Sequence, residues 1–188
     1  MRKIVLLLCL SALPFLNGCF PLIATGVGAG ALSIEDRRTM GAQIEDEAIE
    51  RKISWRIGEH YGRDTHVDIT SYNRTVLLGG QARDEVAKQD IEKIARSTEN
   101  VKNVYNEMTI APALSAGAHS NDALITSKVK GRFLDAGKFY PNHVKVMTEN
   151  SVVYLMGVVK HKEAEAATEI ASTTGGVHKV VRLFEYMD

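Results

Sequence analysis

The feature that most constrains this chain is that it repeats itself. Asp46-Glu-Ala-Ile-Glu-Arg-Lys-Ile-Ser-Trp-Arg-Ile57 aligns with Asp122-Ala-Leu-Ile-Thr-Ser-Lys-Val-Lys-Gly-Arg-Phe133. Asp, Ile, Lys and Arg recur in place, Val129 answers Ile53, and Phe133 answers Ile57. Both copies run on into an apolar stretch, 67–82 and 144–159, in which Asn150 matches Asn73 and Gly157 matches Gly80. Both close on the pattern IAxxxxxVxxV, at Ile94–Val104 and at Ile170–Val180. Asp122 lies 76 positions after Asp46, so each unit has room for about 65 to 70 residues. A chain of 188 residues built on such a repeat is two small domains in tandem.

Each unit reads as the same run of elements. Ile49, Ile53, Ile57 and Ile125, Val129, Phe133 recur at i, i+4, i+8, the stripe of a helix laid on a core. Two β-rich runs follow, separated by Tyr72-Asn-Arg74 or Glu149-Asn-Ser151, a composition suited to a hairpin turn. An Ala-containing helix comes next, predicted over Glu85–Ser97 and Glu163–Thr173, then a last strand over Val101–Ile110 and Val177–Met187. The order α-β-β-α-β predicts an α+β fold in each unit: a three-stranded mixed sheet packed by two helices on one face. Neither unit is long enough for a deep core, so each alone is expected to be only modestly stable.

The glycine late in the second strand, the Ala-containing helix and the closing Val101-Lys-Asn-Val104-Tyr-Asn106-Glu-Met108 resemble the BON domain. Arg182 stands where the second copy would have the motif asparagine, and Asn100 where the second copy has Gly176. These departures are expected to alter local turns and leave the fold intact. Gly80 and Gly157 are read as structural positions that permit close packing or a bulge at a strand end.

The N-terminus reads as a targeting segment. Arg2 and Lys3 precede an apolar run, Ile4–Leu13, too short to span a bilayer but suited to a signal peptide. Leu16-Asn-Gly-Cys19 resembles the lipobox of bacterial lipoproteins, with Asn17 departing from the small residue usual there. On this reading 1–18 is removed and Cys19 becomes the acylated first residue, carrying palmitate among its chains; the alternative is an ordinary signal peptide with an incidental cysteine. Several acyl chains make a stable anchor, since each buried methylene contributes about 0.8 kcal/mol. Phe20 follows Cys19 where an aspartate commonly retains enteric lipoproteins in the inner membrane, so the outer membrane is expected. Residues 19–44 are then the acylated N-terminus and a Gly/Ala-rich spacer, 45–111 the first BON domain, 112–119 a linker, and 120–188 the second BON domain.

Lipobox and duplication together resemble the dual-BON-domain outer-membrane lipoproteins of Gram-negative bacteria, over nearly the full chain. The resemblance implies a lipid-anchored protein facing the periplasm that supports envelope integrity and cell division, with anionic phospholipid bound by the second BON domain.

Composition and motifs argue against chemistry. With 23 basic and 23 acidic residues the formal net charge is zero, which disfavours a nucleic-acid partner held by bulk charge. Both cysteines, Cys9 and Cys19, lie in the first twenty residues, so no disulfide framework or cysteine-based zinc site is possible in the body. The six histidines fall at 60, 66, 119, 143, 161 and 178 without metal-ligand spacing, and no GxSxG elbow is present. No enzyme, metal, cofactor or small-molecule substrate is expected. Glu163, Glu165 and Glu169 read as a solvated helix face.

The informative residues are on the first helix of each copy. Leu124 and Leu134 fall well away from the Ile125/Val129/Phe133 stripe, beside Ser127, Lys128, Lys130, Gly131 and Lys138, with Arg132 close by. An outward apolar pair among cations suits a surface that dips into an anionic bilayer; the alternative is that each leucine packs against a neighbouring loop. Residues 121–138 carry four basic and two acidic side chains, whereas 45–58 carry three basic and four acidic, so the second copy is the phospholipid-binding candidate. Trp55, the sole tryptophan, also points away from its stripe; the alternatives are an insertion into a membrane and a domain or protein contact, and the acidic helix around it favours the contact. A rival function follows from it: an adaptor that binds envelope machinery for cell-wall remodelling or outer-membrane protein assembly.

Overall fold

A computed structural model describes residues 36–62, 65–111 and 116–188. The expected signal peptide, the lipobox-like stretch, Cys19 and most of the expected N-terminal spacer lie outside the described residues, as do 112–115 of the expected linker.

Each copy folds as the repeat predicts. The first comprises α1 (Met40–Tyr61), β1 (His66–Tyr72), β2 (Thr75–Ala82), α2 (Glu85–Arg96), and a last strand split into β3 (Asn103–Asn106) and β4 (Thr109–Ile110). The second comprises α3 (Ala116–Ala136), a short 3-10 turn (Pro141–His143), β5 (Val144–Glu149), β6 (Val152–Val159), α4 (His161–Ser172) and β7 (Lys179–Tyr186). Sheet order is β1-β2-β3, with β4 continuing beside β2, and β5-β6-β7; the hairpin pair is antiparallel and the last strand parallel in both.

Two expected spacers give up residues to helices. Helix α1 begins at Met40, inside the 19–44 spacer, because Thr39 Oγ1 caps it by accepting from the Ala42 N–H at 3.1 Å. Helix α3 begins at Ala116, inside the 112–119 linker. The strict helix breaker there is Pro112, upstream of the helix, and a glycine such as Gly117 costs only about 1 kcal/mol within one.

The repeated residues have repeated jobs. The Ile49/Ile53/Ile57 stripe is buried with Val76, Leu78, Ile91 and Val104, and the Ile125/Val129/Phe133 stripe with Val153, Leu155, Ala167 and Ile170. The repeated aspartate clamps the hairpin. Asp46 accepts from the N–H groups of Asn73 (2.8 Å) and Arg74 (2.7 Å), and Asp122 from those of Asn150 and Ser151 (both 2.8 Å). All four turn residues have positive φ, which identifies a type I′ turn and accounts for Asn73 and Asn150. The repeated arginine caps the second helix: Arg56 donates to the Ile94 carbonyl, Thr98 and Ser97, and Arg132 to the Ile170 carbonyl, Thr174 and Thr173.

Gly80 and Gly157 stand at equivalent places. A Cβ on Gly80 would meet the His66 carbonyl and one on Gly157 the His143 carbonyl, so each lets a carbonyl at or just before the start of the first strand pass close to the second strand. Asn100 (φ 67°) occupies the left-handed conformation that Gly176 (φ 102°) occupies in the second copy. Asn106 accounts for the split last strand. Its side chain bonds back to the Lys88 carbonyl, Glu92 and the Met108 N–H, whereas Arg182 at the matching place leaves β7 continuous.

The two sheets stack on one another. Tyr72 and Leu77 of the first pack with Tyr154 and Met156 of the second, flanked by Met147, Val158 and Leu183, on the faces away from the helices. The layers are therefore helices, sheet, sheet, helices. Polar ties surround this apolar seam. Tyr72 Oη donates to the His143 carbonyl (3.3 Å), Asn73 Nδ2 to Glu185 (2.7 Å), and Gln81 Nε2 to Glu149. Lys145 Nζ reaches both Glu50 (2.8 Å) and the Ser71 carbonyl (3.0 Å). Arg37, ahead of α1, grips Glu163 through both guanidinium nitrogens (2.6 and 2.8 Å) and donates to the Val158 carbonyl.

Candidate membrane and partner surfaces

Helix α3 covers its sheet with one face and turns the other to solvent. At about 100° per residue, Leu124, Ser127, Gly131 and Leu134 fall within a sector of about 80°, and Lys138 follows the end of the helix, past Gly137 (φ 58°). Lys128 borders that sector on one side and Lys130 on the other. Leu124 is 53 % exposed and Leu134 69 %, so neither packs against a neighbouring loop. Ser127 is exposed and its hydroxyl donates to the Ala123 carbonyl at 2.9 Å, which leaves no unspent donor on the sector's midline. Around Gly131 there is open space where a side chain would be. The face is thus two separated leucines over a small-residue floor, rimmed by lysines.

Charge on this face is uneven. Lys128 and Lys130 are exposed and make no ion pair among the described residues. Lys138 contacts Glu169 at 3.3 Å with both side chains more than half exposed, an interaction worth little in water. Asp135 is the acidic member of the face. Arg132 does not contribute its charge there, being committed to the end of α4.

Trp55 on α1 is 66 % exposed. It stands on an open groove of about 430 Å³ with Glu50, Arg51 and Ser54 of α1 and Val67 and Ile69 of β1. Ile44, 64 % exposed, and Arg51 share its side of the helix.

The expectation of a solvated face at Glu163 fails. Its side chain is 16 % exposed, paired with Arg37, and accepts from the Lys160 N–H at 2.8 Å. Burial acts to raise its pKa, but the Arg37 bonds and charge and the Lys160 N–H outweigh that and hold it below the usual carboxylate range. Glu149 is displaced the other way. Burial, opposed by the bond from Gln81 and reinforced by the nearby Asp68 and Asp122 carboxylates, pushes its pKa up to about 7. No cluster of His, Cys, Asp and Glu among the described residues could hold a metal ion. No described helix is long and apolar enough to cross a membrane.

The interface between the copies is what reading from the sequence missed. A signal for it exists. Val76-Leu-Leu78 and Val152-Val-Tyr-Leu-Met156 are continuous apolar runs, the mark of strands covered on both faces, whereas a strand with one wet face alternates.

Comparison with known proteins finds two units in the chain. The model of the BON domain matches residues 45–112 and 121–188. A Haemophilus influenzae protein named outer membrane lipoprotein DolP is 36 % identical over 190 aligned positions, covering 100 % of this chain and 97 % of its own length. A 21 kDa hemolysin of Actinobacillus pleuropneumoniae is 31 % identical, covering 81 % of this chain and 79 % of its own. The osmotically-inducible protein Y of Escherichia coli is 26 % identical, covering 83 % and 80 %.

Proposed function

Since the chain belongs to the BON-domain family and carries two copies, we propose that it is an outer-membrane lipoprotein, anchored through Cys19 and facing the periplasm, that binds anionic phospholipid through its second BON domain and supports envelope integrity. The observation that carries the lipid reading is the outer face of α3, where exposed Leu124 and Leu134 stand between Lys128 and Lys130. Leucines enter the acyl boundary while the lysine stems lie along it and their ammonium groups meet headgroup phosphates. Each such cation contributes about 1 kcal/mol near an anionic surface, less in salt. That is weak alone. Beside an acyl anchor it suffices, because a tethered site meets its lipid at high effective concentration. The name of the Haemophilus relative supports the anchor and the location.

Liposome flotation of residues 20–188, which keep the whole compact unit Glu35–Asp188, tests this. Binding to phosphatidylglycerol vesicles but not to phosphatidylcholine ones is expected, and Leu134→Glu or Lys130→Glu should abolish it. If neither vesicle is bound, the lipid reading is wrong. The anchor has its own test: Cys19→Ala should lose both labelled palmitate and membrane association, and retention of both would refute acylation there. Exposed Trp55 favours a second reading, a protein-binding adaptor for envelope machinery.

A further inference from the structure

The first strand of the first copy is a sheet edge, and part of that edge is open. Among the described residues β1 pairs only with β2, through a two-residue turn that joins Tyr72 to Thr75. In such a hairpin the ladder bonds fall on Tyr72, Thr70, Asp68 and His66, and the N–H and C=O groups of Ser71, Ile69 and Val67 point away from the sheet. Ser71 shows this directly, donating to Glu50 (2.7 Å) and accepting from Lys145 (3.0 Å). The outward groups of Ile69 and Val67 have no hydrogen-bond partner among the described residues. Glu50 and Lys145 close one end of the edge; the rest is unprotected, and open edges are templates for another strand.

A groove runs along each face of this open edge. On the helix side, Trp55, Arg51 and Ser54 stand over Val67 and Ile69. On the other side a groove of about 320 Å³ is lined by Asp68, Thr70, Asp122, Thr126 and Glu149, among others, and Ile69 borders both. The first is dominated by an indole; in the second Asp68 is the exposed carboxylate, with His119 on the wall and the buried Asp122 and Glu149 beneath. Asp122 is partly neutralised by two backbone N–H groups, whereas Asp68 lies beside His66, at 3.4 Å, and beside the Glu149 carboxyl. Burial is the main cause of the upward displacement of the Glu149 pKa, and the neighbouring Asp68 and Asp122 carboxylates add to it.

We infer that the Val67–Ile69 edge is a strand-addition site for an extended segment of a partner protein, one that alternates apolar side chains, set beside Trp55, with basic ones, set against the exposed Asp68. Alternation follows from the pleat, which sends successive side chains of an added strand into opposite grooves. A bilayer does not fit this edge, because its bare backbone groups would be unsatisfied in hydrocarbon. This site is separate from the α3 face, and it gives the adaptor reading a definite surface.

The probe is the synthetic peptide Leu-Lys-Val-Arg-Leu-Lys-Val, added to residues 20–188, with amide exchange followed by NMR. Saturating peptide should slow exchange of the Val67 and Ile69 amides at least about tenfold, with Trp55→Ala or Asp68→Lys weakening binding by a similar factor, about 1.4 kcal/mol. Both variants should still bind phosphatidylglycerol vesicles, while Leu134→Glu should lose vesicles and keep the peptide, so the two sites fail independently. A version with alternate amides N-methylated, so that one edge cannot hydrogen-bond, should not bind. The inference is overturned if the peptide does not bind at millimolar concentration, if the methylated version binds equally, or if the signals that change are those of the Leu124–Leu134 face of α3 and not of Val67 and Ile69.

Discussion

Replacing Glu149 by Gln should stabilise the protein in neutral buffer and leave it unchanged in acid. Glu149 is only 5 % exposed, sits on the seam between the two copies, accepts from Gln81, and faces Asp68 and Asp122. Its pKa rises from 4.5 to about 7 in the folded protein. Below about pH 4.5 the folded and unfolded chains both hold the proton, and its contribution to stability is fully present. Between about 4.5 and 7 the unfolded chain releases the proton while the folded one keeps it, so stability falls as pH rises. Above about 7 the folded protein carries the full cost of a buried carboxylate. One pKa unit is about 1.4 kcal/mol, which puts the full cost on the order of 3 kcal/mol, and entry of water at the seam would bring it nearer 1. Glu149→Gln keeps the size and an acceptor for Gln81 but cannot ionise. Urea unfolding at pH 4.5, 6 and 8 should therefore show the variant gaining on the parent by about 1–3 kcal/mol across the series. A difference that stays constant from pH 4.5 to 8 would refute the assignment of the cost to ionisation.

Three further outcomes follow from the duplicated architecture. Asp122→Ala should cost about 1–3 kcal/mol, read by urea midpoint, because two turn N–H groups lose their acceptor. Asp46→Ala should cost more, since Asp46 also holds the Ser71 hydroxyl at 2.8 Å and Arg38 at 2.8 Å. Gly157→Ala drives a Cβ into the His143 carbonyl and should cost about 1–3 kcal/mol by thermal melt, whereas Gly131→Ala, in open space, should be neutral or slightly stabilising through better helix propensity. Arg37→Ala should leave each copy's core intact but loosen their docking, seen as faster amide exchange along Lys145–Met147 and Val158 and as a rise in the pKa of Glu163, which burial alone pushes upward.

The parts of this molecule legible in its sequence are those whose signals are local and repeated. Each helix stripe, each turn asparagine and each close-approach glycine could be read because two copies show the same residue type doing the same job. The outward leucines of α3 were legible for a related reason: Leu124 and Leu134 break the stripe of their own helix, and a break in periodicity is visible without coordinates. What was hidden is what the copies do not share. Arg37 meets Glu163 across 126 positions, and Lys145 meets Glu50 across 95, with no counterpart in the other copy to betray them. The open edge was hidden as well. Whether a strand's outward groups are paired depends on what lies beside it, and in the first copy Glu50 and Lys145 cover Ser71 alone.

The stacking of the sheets settles how the two surfaces can be used. Each helix pair covers the side of its sheet away from the seam, so α1 and α3 lie on opposite outer layers. If α3 lies on a bilayer, Trp55 and its groove cannot lie on the same plane, and they face the periplasm. A membrane contact and a protein contact are then compatible, which they would not be if both used one layer. The proposed anchor does not impose that orientation. Seventeen positions separate Cys19 from Asp36, a reach of up to about 60 Å when extended, enough for any face to meet the membrane. Orientation would then rest on the α3 face. Leu134→Glu in the acylated chain should keep the protein on the membrane while making Trp55 and residue 134 equally accessible to a water-borne quencher or label. Unequal accessibility in that variant would mean that something other than the leucine-and-lysine face turns the molecule.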